Sequence, residues 1–98
     1  MKTIYKFIID EPVKVIEMLW YARVISFGSQ YGRPCVWAFV DPEEKRMKKV
    51  TIRLVGTGHP IDDNIPIGEI RNRFIGTALF NDDTLVLHAF SDDNKDGI

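Results

Sequence analysis

The sequence predicts an all-β fold: a small antiparallel sandwich or partly open barrel of about seven strands. Three observations carry that expectation. Apolar residues recur mostly at every second position, the period of half-buried strands. Clusters of Gly, Pro, Asn and Asp interrupt the chain at short intervals, as tight turns do. The 98 residues are 45% hydrophobic and 11% aromatic, enough for one packed core. A single β domain over residues 1–91 and a disordered acidic tail over 92–98 are expected.

Tyr5, Phe7 and Ile9 share one face of an opening strand, with Ile4, Lys6 and Ile8 on the other. Asp10-Glu11-Pro12 interrupts it, and Val13 to Met18 resumes as a second strand. A helix over 11–21 is the alternative there, with Asp10 as N-cap and Val13, Ile16, Leu19 and Trp20 at helical spacing. Leu19-Trp20-Tyr21 reads as a tight connection to a third strand, Ala22 to Phe27, and Gly28 to Gly32 as a hairpin loop. Cys35, Trp37 and Phe39 then alternate with Val36, Ala38 and Val40; a strand apolar on both faces belongs in the middle of a sheet. Asp41-Pro42-Glu43-Glu44 is a turn. Lys49, Thr51 and Arg53 alternate with Val50, Ile52 and Leu54 in a strand with one wet face. Gly58 to Gly68 carries too many turn formers for a regular element and reads as a long loop. Ile70 to Phe80 and Leu85 to Phe90 supply the last strands, joined by Asn81-Asp82-Asp83.

Charge narrows the partners. Thirteen basic and fourteen acidic side chains leave a net charge of −1, which disfavours nonspecific binding to duplex DNA. No apolar run approaches the roughly 18 residues of a membrane span, and Met1 to Lys6 lacks the core of a secretory signal. The expected location is the cytoplasm. Cys35 is the only cysteine, so no intrachain disulfide or thiolate zinc site is available, and its alternation with aromatics predicts a buried, inert thiol.

The candidate site is Gly56-Thr57-Gly58-His59-Pro60. A strand ends there in residues that can present backbone N–H groups and one imidazole at a single point, which suits an anion or polar small molecule. An ordinary turn uses the same residues. Arg53 precedes this corner, and Arg71 and Arg73 follow it; if their strands are neighbours, the guanidinium groups can clamp a phosphate or carboxylate. A solvated face balanced by aspartates is the alternative. Trp20, Tyr21 and Tyr31 fall in connections, available to stack on a base or a partner. His88, inside the closing strand, reads as a core or interfacial histidine satisfied by one hydrogen bond. His59 as a general base would need an orienting carboxylate such as Asp62 or Asp63. The glycines match neither a Walker loop nor a dinucleotide fingerprint, and no spacing fits a metal or calcium site. No cofactor is expected.

Met1 to Lys6, Gly32 to Pro42, Gly56 to Ile61, Phe74 to Thr77 and Leu85 to Phe90, in that order, resemble a family of short uncharacterised proteins found mainly in bacteriophages and prophages. The resemblance implies a small β-rich phage accessory protein acting inside a bacterium. Three functions follow as expectations. The first is a non-catalytic binder that counteracts host antiviral defence by sequestering a phosphate-bearing nucleotide signal, using Arg53, Gly56, Thr57, Gly58, His59, Arg71, Arg73, Trp20, Tyr21 and Tyr31. The second is an inhibitor of a host protein, or an assembly module, acting by protein contact. The third is a hydrolase dependent on His59. A homo-oligomer, specifically a dimer, is expected in each case.

Overall fold

The computed structural model describes residues 1–61 and 73–92. Seven strands run in chain order: β1 (Thr3–Ile8), β2 (Val13–Leu19), β3 (Arg23–Gln30), β4 (Arg33–Val40), β5 (Met47–Gly56), β6 (Phe74–Phe80) and β7 (Leu85–Ser91). They form two antiparallel sheets, β1-β4-β3 and β2-β5-β7-β6. The sheets face each other as a sandwich and are not closed into a barrel. Residues 13–19 are strand, so the helical alternative over 11–21 is set aside: Val13 to Leu19 pair residue by residue with Arg53 to Met47. Ladder pairing outweighs a spacing that reads either way in so short an apolar run.

Strand β4 is the middle of its sheet, as its two-sided apolar pattern predicts. Val36, Ala38 and Val40 point inward and are fully buried. They join Val50 and Ile52 of β5, also fully buried, in one core cluster with Ile16, Met18, Val24, Phe27 and Phe80. The Phe27 and Phe80 rings, one from each sheet, lie 6.1 Å apart and tilted. Cys35 is buried on the other face, donating weakly to the Arg33 carbonyl.

The β3–β4 loop is shorter than the sequence suggests. Only Tyr31 and Gly32 lie between the strands, with φ of 54° and 76°, the paired left-handed conformation of a two-residue hairpin turn. Gly28 and Ser29 instead belong to β3. A Cβ at Gly28 would stand 3.4 Å from the Trp37 ring, an ordinary contact. Pairing with Cys35 across the ladder, not local turn chemistry, sets the place of this residue.

One flank of the sandwich is closed. Strands β3 and β6 each carry a register shift, at Val24/Ser26 and Phe74/Gly76. Such bulges bend and twist a strand. The two strands meet where Gly76 packs on the backbone and Cβ of Phe27. At the other flank the chain passes between sheets through Ile9–Pro12. Ile9 N donates to Pro34 O at 2.9 Å in one sheet, and Leu54 N donates to Pro12 O at 2.8 Å in the other.

Ile52 tests the packing. It is fully buried, so Ile52→Ala is expected to cost about 2–5 kcal/mol in urea unfolding.

Candidate functional site

The Gly56–His59 corner is a hydrogen-bonded turn: His59 N donates to Gly56 O at 3.0 Å, and Gly58 has φ of 84°. A positive φ at the third turn position is the type II geometry, which favours glycine. Gly56 has a separate reason to lack a side chain. A Cβ there would lie 2.6 Å from His59 Nδ1, so the imidazole rests directly over the strand end.

Alternation along the strand then splits this corner between two faces. Gly56 and His59 border a cavity of about 370 Å³ at the end of the sandwich. Its other walls are Ile9, Asp10, Glu11 and Pro12 of the crossover, Pro34 of β4, Leu54 of β5 and Leu87 of β7. Thr57 turns the opposite way. Its Oγ1 lies 2.7 Å from His88 Nε2, while Thr77 Oγ1 lies 2.9 Å from His88 Nδ1. His88 is therefore a half-buried outer-face histidine with two hydroxyl partners, not one.

The cavity is apolar with acceptors at its mouth. In an antiparallel ladder, a bonded pair exchanges two N–H···O bonds. Ile9 stands opposite Pro34, and Leu54 opposite Pro12, by continuation of the registers. Proline has no N–H, so each pair makes one bond and the ladder supplies no donor to the Ile9 and Leu54 carbonyls. The Asp10 and Glu11 carboxylates add further acceptors. Asp10 is held below the ordinary carboxylate range, chiefly by a hydrogen bond from Lys14 at 3.0 Å, with Arg33 adding a weaker attraction.

The adjacency assumed for the guanidinium clamp is not found for Arg53 and Arg73. Strand β7 lies between β5, which holds Arg53, and β6, which Arg73 immediately precedes. Arg53 opposes Phe90 and alternates to the face opposite Leu54 and Gly56. Neither it nor Arg73 lines the cavity. Arg71, like Asp62 and Asp63, lies outside the described residues. Tyr31 sits at the cavity end on the β3–β4 turn, 92% exposed.

Trp20 and Tyr21 are at the other end. Trp20 N donates to Arg46 O beside Met47, the far end of β5. Seven residues of strand separate Met47 from Leu54, roughly 23 Å at about 3.3 Å per residue. The Arg46 guanidinium lies 5.5 Å from the Trp20 ring and 5.4 Å from that of Tyr21. It is also bound in a fork by Glu44, at 2.9 and 3.0 Å. These aromatics form a separate surface cluster.

Sequence reasoning missed most of the cavity wall. Asp10-Glu11-Pro12 looked like a simple interruption, and Pro34, Leu54 and Leu87 looked like ordinary strand residues. The available signal was a proline ending each ladder. Arg33, adjoining the mouth through Pro34, was also overlooked.

These features define an all-β sandwich domain with an end-on apolar cleft rimmed by acceptors. The chain belongs to the family described as domain of unknown function DUF7352, whose model matches residues 1–97. No curated protein and no solved structure matches it. Among the described residues no cluster of metal-ligating side chains occurs, and no helix is long and apolar enough to cross a membrane.

Two outcomes follow. Gly56→Ala should cost no more than about 2 kcal/mol, because an exposed imidazole can swing aside, but it should shift the His59 ring resonances in NMR spectra. The Glu44 carboxyl is depressed from 4.5 to about 2, first by the Arg46 side chain and then by the Arg46 backbone N–H. Any stabilisation from it is present above the ordinary carboxylate value and lost as pH falls towards 2. NMR titration should find that low midpoint, and Arg46→Ala should return it towards 4.5.

Proposed function

We propose that the protein is a non-catalytic receptor for a small ligand rich in hydrogen-bond donors, and that this ligand is a phosphate-bearing nucleotide. The observation that carries the reading is the cavity beside Gly56 and His59: apolar walls sized for a planar ring, with acceptors concentrated at one rim. A nucleobase would fill the apolar part. Its amino groups, or the sugar hydroxyls, would donate to Asp10, Glu11 and the two carbonyls that proline leaves without a ladder donor. Phosphates would extend outward towards Arg33 and His59, away from the carboxylates, with Tyr31 above them.

The phage origin, cytoplasmic action, self-association and anti-defence role implied by the sequence resemblance belong to this same proposal. A phage protein that holds a nucleotide signal lowers its free concentration without consuming it, and needs only affinity and abundance. The alternative is a protein-binding inhibitor. It draws on the Trp20–Tyr21–Arg46 cluster, whose aromatic and arginine composition is that of interface anchors.

Calorimetry against cyclic and linear nucleotides, with their nucleosides as controls, tests the assignment. Binding is expected in the wild type and lost in Leu87→Trp, whose larger side chain occupies the cavity. Arg33→Ala should weaken the nucleotides while leaving the nucleosides unchanged. An absence of heat with every nucleotide at micromolar protein would overturn the reading.

A further inference from the structure

The free edge of β1 carries an independent inference. Because Ile9 N donates to Pro34 O, and bonded pairs recur at every second residue, Phe7–Val36, Tyr5–Ala38 and Thr3–Val40 are the bonded pairs of the ladder. Ile4, Lys6 and Ile8 therefore turn their N–H and C=O groups away from β4. Strand β1 is the outermost of its sheet, and among the described residues no other strand pairs with it.

The side chains on this edge are under-covered. Tyr5 shares the core-facing side with fully buried Ala38, yet is 42% exposed, and Ile4 and Ile8 are 52% and 36% exposed on the outer face. The opposite flank is sealed by β3 against β6. Here, among the described residues, a three-stranded sheet stops beside a four-stranded one, leaving apolar side chains and backbone unpaired by any described strand together, the condition for strand addition.

We propose that β1 pairs antiparallel with β1 of a second copy about a twofold axis at Tyr5, joining two three-stranded sheets into one of six strands. A second copy brings the same outward N–H and C=O groups and the same apolar edge, and charge then selects the register. The outward residues must oppose one another, which limits the axis to a few positions. Centred on Ile4, Lys2 would oppose Lys6; centred on Lys6, the two ammonium groups would face each other; centred on Phe7, little of the strand would overlap. Centred on Tyr5, Lys6 opposes Ile4 and Lys2 opposes Ile8, so no two ammonium groups face each other. The Lys6 ammonium is drawn back across its own sheet to Gln30 Oε1, and the Lys2 stem covers the exposed Ile8 while its charge reaches water. The two Tyr5 rings meet at the axis in a close, non-bonded pair.

The register makes a positional test. In a non-bonded pair at the axis the two Cα atoms are about 4.5 Å apart, within disulfide range. Tyr5→Cys should therefore form a covalent dimer under mild oxidation. Thr3→Cys should not, because its two copies would stand about 13 Å apart along the strands. Because Lys6→Ala loses only the exposed hydrogen bond from Lys6 Nζ to Gln30 Oε1, Lys6→Pro, which also lacks an outward N–H, should match the thermal melt of the Lys6→Ala monomer. The Lys6→Pro dimer should nonetheless weaken about tenfold or more in sedimentation equilibrium, since the axis repeats the loss. A wild-type protein that sediments as a monomer at millimolar concentration overturns the proposal. So does a dimer in which Thr3→Cys links as readily as Tyr5→Cys, or one that Lys6→Pro leaves intact in a folded protein. A monomer that instead gains a strand from an added extended peptide would also overturn it.

Discussion

Two backbone hydrogen bonds, Ile9 to Pro34 and Leu54 to Pro12, hold the passage between the sheets and set what surrounds it. The chain must leave one ladder and enter another within four residues. A proline on the accepting side of each bond lets the ladder finish there without a second bond. The sheets are thus pinned at their ends, and the Ile9 and Leu54 carbonyls are left without a donor from the ladder. The cavity lies where these strands terminate.

The corner beside that cavity follows from the same economy of side chains. Gly56 is bare because the His59 ring lies over it; Gly58 is bare because the turn needs a positive φ. Thr57, between them, is free to point to the other face, where it meets His88. Three adjacent residues thereby serve the cavity, the turn and the outer sheet surface. A reading that groups them as one binding loop merges separate physical roles.

The sequence made the architecture legible where a local pattern has one physical meaning. The two-sided apolar run Cys35 to Val40 places β4 in the middle of a sheet, and Asp41-Pro42 and Asn81-Asp82-Asp83 mark true turns. It failed where the deciding contact is distant in sequence. Gly28 reads as loop although it pairs with Cys35 across the ladder, and His88 reads as singly bonded because Thr57 lies 31 residues away. The adjacency assumed for Arg53 and Arg73 failed on strand order: β7 returns between β5 and β6, an arrangement that no alternation pattern encodes. The site was therefore half visible. Its glycine–histidine side stood out by composition, and its proline-capped side did not.

Asn81, Asp82 and Asp83 all hold left-handed backbone, with φ of 53°, 55° and 72°. Each such residue costs about 1 kcal/mol relative to its relaxed state, and no glycine relieves any of the three. Two hydrogen bonds inside the turn, from Thr84 N and Thr84 Oγ1 to Asn81 O, hold the bend against that cost. An excised β6–β7 peptide would keep the means to make those two bonds but would lose the β5 ladder and the core behind it, so as a lone hairpin it would be marginally stable at best.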